Sequence, residues 1–118
     1  MAHDDRPVYL RLRDSIAEAI LEGRYRDGDP LPSVRALAAE YGANPLTVAK
    51  AYQSFQDNGL VDVRRGIGMF VAKGASERLR TEERTVFLRD TWPRIHAQIR
   101  RLNLDPADLF REDIETPA

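Results

Sequence analysis

LPSVRALAAEYGANPLTVAKAY, residues 31–52, reads as two short helices joined by a tight turn. Ser33 can cap the first by accepting from a backbone N–H two or three residues on. Its apolar face would be Val34, Leu37, Ala38 and Tyr41, and Arg35 falls on its polar face. Gly42 supplies the left-handed conformation at which a helix stops. Asn44 is a strong cap and Pro45 is pre-organised for the first helical position, so a second helix is predicted to start at residue 45. Val48, Ala51, Tyr52 and Phe55 line one side of it, with Thr47, Lys50 and Ser54 nearer the other, until Asn58-Gly59 ends it. A helix that opens on Asn-Pro and is set at an angle to its predecessor has the geometry of an element presented to a partner.

Upstream, Pro7 suits the first turn of a helix, and Tyr9, Leu12, Ile16 and Ile20 follow at spacings of three and four, ending at Gly23. RYRDGDPLP, residues 24–32, carries turn formers and helix breakers in close succession and is expected to be a connector. Downstream, Leu60–Arg64 and Met69–Ala72 are β-prone runs around RGIG, a hairpin whose glycines permit positive φ. Helix, helix, turn, helix, hairpin is the order of a winged helix-turn-helix domain over residues 7–74.

Beyond Lys73 the chain turns polar and charged, which places a boundary near residue 75 and a second, helical region over residues 76–115. Leu88, Trp92, Ile95, Ile99 and Leu102 repeat at four, three, four, three, the seam of a helix that packs along another helix. Pro93 inside that seam predicts a kink, or a restart with Thr91 as cap. Asn103 can end the helix, and Asp105-Pro106 starts a short last one containing Leu109 and Phe110. The fold class is therefore mainly α with a small β-hairpin, a winged helix-turn-helix followed by a short C-terminal helical dimerisation tail.

The chain has 118 residues, ordinary apolar content and no cysteine, which excludes disulfides and thiolate metal sites. No stretch has the plan of a signal peptide or the length of a membrane span, so a cytoplasmic protein without membrane contact is expected. The formal net charge is −1, against a general polyanion coat, although residues 33–73 hold Arg35, Lys50, Arg64, Arg65 and Lys73 against Glu40, Asp57 and Asp62. His3 and His96 stand far apart with no partner at ligand spacing, and Gly66-Ile67-Gly68 is too short for a nucleotide phosphate loop. No catalytic residue, cofactor or metal is expected.

Two helices fixed at a steep angle let the second enter a DNA major groove with its N-terminal residues at base edges. Asn44 and Thr47 would open that helix, Lys50 would reach a base or phosphate one turn on, and Arg35 would meet the backbone. Arg64 and Arg65, beside Gly66 and Gly68, could sit over phosphates or enter a minor groove. Asn44 and Thr47 also have purely structural uses as cap and helix residue.

GDPLPSVRALAAEYGANPLTVAKAYQSFQDNGLVDVRRGIGMFVAKG, residues 28–74, resembles the DNA-binding domain of GntR-family transcription regulators: its Leu-Pro-Ser, Arg, Leu-Ala, Gly, Thr-Val, Gly-Leu and Arg-Gly-x-Gly-x-Phe-Val positions are present. The Asn-Pro-x-Thr-Val-x-Lys-Ala-Tyr form and the short tail are similar to the small YtrA-like subfamily, whose tail is a pair of dimerising helices. The resemblance implies DNA contacts from Arg35, Thr47, Arg65 and Gly66. Many members place arginines where this chain has Pro45 and Ala49, and Lys50 would take part of that load. The function expected is a sequence-specific regulator, a repressor, binding a palindromic double-stranded operator as a homodimer through Leu88, Trp92, Ile95, Ile99 and Leu102; whether a small-molecule effector acts on it is left open, and the tail has no room for the ligand-binding domain of larger members. The competing reading is a protein-interaction module, whose mark would be a large apolar surface in place of Arg35, Thr47 and Lys50.

Overall fold

The structure, a computed structural model, describes residues 7–111; His3 and residues 112–115 of the expected tail lie outside the described residues. The chain divides into two compact units, Met1–Arg80 and Thr81–Ala118. In the first, α1 spans Val8–Leu21, α2 Val34–Tyr41 and α3 Pro45–Asp57, followed by strands β1 Val61–Arg64 and β2 Gly68–Val71 and the start of α4, Ala75–Val86. Pro7 stands one residue outside α1, where its carbonyl accepts from Leu10 and Arg11.

Local chemistry sets the turn between α2 and α3. The Ser33 hydroxyl accepts from Ala36 N at 3.1 Å, and Gly42 closes α2 at φ 62° while Ala43 N donates to the Ala38 carbonyl at 2.9 Å. The Asn44 carboxamide oxygen then accepts from Leu46 N at 2.8 Å. The caps at Ser33 and Asn44 each satisfy an N–H that the helix start would otherwise leave unpaired. Tyr41, expected on the apolar face, is exposed: in a helix this short Leu37 and Ala38 make the full core contact and Val34 a partial one.

The core is built on α3. Val48, Ala51, Tyr52 and Phe55 are buried against Leu12, Ile16, Ala17 and Ile20 of α1 and against Leu37 and Ala38, with Leu60, Val61, Val71 and Ala72 closing the hairpin side. Tyr52, 2% exposed, donates its hydroxyl to the Pro32 carbonyl at 2.7 Å, and burial pushes its phenol well above the usual range.

The hairpin is antiparallel, with Val61 opposite Val71 and Arg64 opposite Gly68, and Ala72 N extends the pairing by donating to the Leu60 carbonyl. The expected connector corrects here. Gly28 N donates to Val71 O at 2.7 Å, Val71 N to Asp29 O and Leu31 N to Met69 O, so residues 28–31 line the free edge of β2. Pro30, which has no N–H to offer a ladder, is tolerated in a segment paired on one side only.

This unit runs past the composition change at residue 75 because Ala75 and Leu79 are buried in the same core. The start of α4 is held by Asp27, whose carboxylate accepts from Gly74 N at 2.7 Å, Ser76 N at 3.2 Å and the Ser76 hydroxyl at 2.8 Å. The Ser76 hydroxyl, then the two backbone N–H groups, hold the Asp27 carboxyl below its ordinary range. Arg78 in turn donates to the Asn58 and Gly59 carbonyls at the end of α3.

In the second unit, Phe87–Thr91 is π-helical and α5 spans Trp92–Arg101, with α6 at Pro106–Leu109. Thr91 keeps helical angles and makes no side-chain cap, so the helix does not restart there. Pro93 brings no N–H to the ladder, and the register widens just before it, Trp92 N donating to the Phe87 carbonyl. Arg94 Nε supplies the Asp90 carbonyl at 3.1 Å. Asn103 takes φ 54° after α5, and the Asp105 carboxylate caps α6 by accepting from Ala107 N at 3.0 Å. No helix among the described residues is long and apolar enough to cross a membrane.

Asp27→Ala is expected to lower stability by about 1 kcal/mol at neutral pH, the worth of a capping carboxylate. Because the folded-state pKa is depressed, this contribution is present above the unfolded pKa and is lost as pH falls through the lower, folded value. Denaturant titrations of wild type and variant should therefore differ at pH 7 and begin to draw together only as the pH falls below about 4, converging beneath the depressed folded-state value; a difference that stays the same through that fall would remove the carboxylate from the account.

Candidate nucleic-acid interface

Residues nine apart on a helix lie two and a half turns apart, so Leu46 stands on the side of α3 opposite Phe55. With Phe55 in the core, the outward stripe of α3 is Leu46, Ala49, Lys50 and Gln53, all exposed. Asn44 is exposed at the N-terminal end of the helix, with its side chain turned to the cap. Thr47 lies on the flank of the stripe and is half-buried. The first turn of α3 holds no acidic side chain, so the positive end of the helix dipole is left for an outside anion.

Lys50 does not simply extend into solvent. Its Nζ lies 4.2 Å from the centroid of the Tyr9 ring, a cation–π contact that draws the ammonium toward the start of α1. One turn further along the same flank the Arg13 guanidinium donates to the Ser54 hydroxyl at 2.9 Å and lies over Phe55, tying α1 to α3. Arg35 is exposed on the first turn of α2.

The structure separates the two hairpin arginines. Arg64, on the sheet face that carries Phe70, places its guanidinium 4.3 Å over that ring. Arg65 is in the turn, next to Gly66 at φ 79°, a conformation that costs glycine nothing and other residues much. An open cleft of about 570 Å³ joins this tip to the start of α2, with Ser33, Val34, Arg65, Gly66 and Ile67 among its lining. The hairpin-tip residues and the residue that caps α2 thus share one surface depression.

The sequence reading of α3 missed Leu46, Ala49 and Gln53, which a helical projection from the buried Val48, Ala51, Tyr52 and Phe55 would have found. The tail residues form a separate group. Leu88, Trp92 and Leu102 are exposed and Ile95 and Ile99 half-buried, with Trp92 between Phe87 and His96 at ring distances of 6.5 and 5.7 Å. Among the described residues no group of His, Cys, Asp or Glu could hold a metal ion.

Residues 8–71 match the family of bacterial regulatory proteins described as gntR. The HTH-type transcriptional repressor YtrA of Bacillus subtilis (strain 168) is 38% identical over 73 residues, which cover 62% of this chain and 56% of the relative. The chain thus spans a little over half the length of YtrA and of a second Bacillus subtilis relative, the HTH-type transcriptional regulator YhcF, and a third or less of other curated relatives. A transcriptional regulator from Oenococcus oeni superposes with a TM-score of 0.71 at 28% identity, over 92% of this chain and 89% of that one. AraR(DBD), solved in complex with the operator ORR3, superposes with a TM-score of 0.56 at 25% identity, over 61% of this chain and 87% of that one. The family is one of regulators and not of enzymes. Matched along more than half its length and sharing the helix and hairpin order of these structures, the chain belongs to the gntR family of bacterial regulatory proteins, among its YtrA-like members.

Proposed function

We propose that the chain is a sequence-specific DNA-binding transcription regulator that acts as a homodimer on a palindromic double-stranded operator. The observation that carries this reading is the division of labour in α3: one side is wholly committed to the core while the opposite side, with an acid-free N-terminal turn, is exposed. Such a helix fits a major groove, with its N-terminal residues at base edges and phosphates near its positive end. The likeness to a domain solved on its operator supports the same mode. Arg35 and Arg65 are assigned to the backbone, Thr47 with Leu46, Ala49 and Gln53 of the outward stripe to base edges, and Gly66 to the close approach of the hairpin tip. Asn44 contributes as the cap that sets where α3 begins. Lys50, steered by Tyr9, and Arg64, braced on Phe70, serve the phosphates at the edges of the footprint.

Dimerisation is supported by the second unit. None of its described residues, 81–111, is buried, although Leu88, Trp92, Ile95, Ile99 and Leu102 form an apolar seam on one helical face. A second copy related by a two-fold axis would cover that seam and set two reading helices on successive half-sites. Since the surface from residue 33 to 73 carries a balance of only about +2, a single copy makes few phosphate contacts, and two copies double them. Repression follows most simply, because a bound dimer needs only to occupy the operator, and YtrA is named as a repressor. The cytoplasm is the compartment in which such a protein meets its operator.

Selection of bound sites from random duplex DNA tests the proposal: the enriched sequences should be palindromic, with half-sites about one helical turn apart. A protein that retards duplexes without enriching any sequence would overturn it. Arg35→Ala and Arg65→Ala should each keep the fold, weaken binding and lower the salt slope of log K by about one. Thr47→Ala should leave that slope alone and lose roughly 1 to 3 kcal/mol of discrimination at one base pair.

Ile95→Glu combined with Ile99→Glu should give a folded monomer with much weaker operator affinity, because unpaired carboxylates are not tolerated in an apolar interface. Sedimentation of wild type and variant, each paired with a titration on the palindrome, reads this out. A truncation used for the same purpose should end after Arg80, since an earlier one removes the buried Leu79. Wild type that sediments as a monomer and binds one half-site as tightly as the palindrome would dispose of the dimer.

A further inference from the structure

The two most exposed large apolar side chains of the first unit are Leu46, at 79%, and Ile67, at 74%; one opens α3 and the other sits at the hairpin tip. Leu46 has no part in the fold. It follows Pro45 on the first turn of α3, points away from the core, and its own N–H is already satisfied by Asn44. Its neighbours on the outward stripe are Ala49, three residues on, and Lys50, four residues on, with Thr47 beside it. An isolated leucine among a cation, a hydroxyl and a methyl is too small an apolar surface to anchor a protein partner, which would need a contiguous patch of several hundred Å².

We infer that Leu46 is a specificity-determining residue that places its side chain against the C5-methyl group of a thymine in each half-site. The inference rests on the DNA-binding reading and adds to it the identity of one base. In the major groove the thymine methyl is the apolar feature of the base-pair edges, and an apolar side chain there discriminates by contact and not by hydrogen bonding. The small Ala49 one turn on lets the helix approach closely enough for the contact, and the acid-free N-terminal turn admits the flanking phosphates. Burying one methyl group is worth about a fourfold change in affinity, and a dimer makes the contact twice.

The test is a thymine-to-deoxyuridine scan of the site enriched by the full-length wild type, which removes single methyl groups and leaves every hydrogen-bonding group in place. Wild type should lose about fourfold at one thymine per half-site, and Leu46→Ala, whose helical content is checked by circular dichroism, should bind the thymine and uracil duplexes equally at that position. Leu46→Met, which keeps an apolar side chain, should retain most of the methyl dependence. An enriched site at which no thymine methyl matters, or at which Leu46→Ala keeps the full methyl dependence, overturns this inference while leaving the DNA-binding reading standing. Failure of wild type to enrich any site overturns both.

Discussion

Val48, Ala51, Tyr52 and Phe55 must fill the centre of the first unit from a single face of α3, and this requirement governs the rest of the structure. A helix that gives one whole side to α1, α2 and the hairpin can turn only its opposite side outward. The orientation of the outward stripe is thus fixed by core packing and not by the partner, which suits a surface that must be pre-arranged before it meets one. Tyr52 adds a directional element to the packing. Its hydroxyl, deep in the apolar cluster, has its acceptor in the Pro32 carbonyl, one residue before the cap of α2. The bond therefore sets where α2 begins relative to α3, and leaving that hydroxyl unpaired would carry the desolvation cost of a buried polar group.

The side chains of the candidate interface divide into those that are free to respond to a partner and those already engaged. Lys50 and Arg64 rest on aromatic rings and have lost part of their rotamer freedom before any contact is made. Arg35 and Arg65 sit at the start of α2 and in the hairpin turn, where long side chains keep their reach. Pre-placed cations lower the ordering cost of binding, and mobile ones accommodate variation in groove shape.

How much of this was readable in the sequence depends on the range of the interaction concerned. The caps at Ser33, Asn44 and Asp105, the left-handed stop at Gly42 and the four core residues of α3 were readable because each depends on neighbours within one turn. Residues 28–31 read as a connector because Pro30 and Pro32 signal breaks, and no local pattern reveals the free edge of β2 some forty residues later. Asp27 was hidden for the same reason: its partners are Gly74 and Ser76. Pro93 announced a disturbance without its form, since a missing N–H marks a break in the ladder but not whether the helix kinks, restarts or widens its register. At the candidate interface, the polar and charged residues stood out by type, whereas Leu46 did not, because an apolar residue in a helical pattern is assigned to the core unless the whole helix is projected.

The pairing of residues 28–31 with β2 also bears on the order in which the chain folds. Helices α1, α2 and α3 make contacts that close within the first 57 residues, so they can assemble while the hairpin is still unstructured. The segment at 28–31 must wait for β2, and Asp27 for Ser76, because these partners follow α3 in the chain. A chain emerging from the ribosome would thus form α3 before it can secure its hairpin, with the edge of β2 open to other chains in the interval. Pro30, within the segment that finally covers that edge, keeps the outer side of the finished sheet from recruiting a further strand.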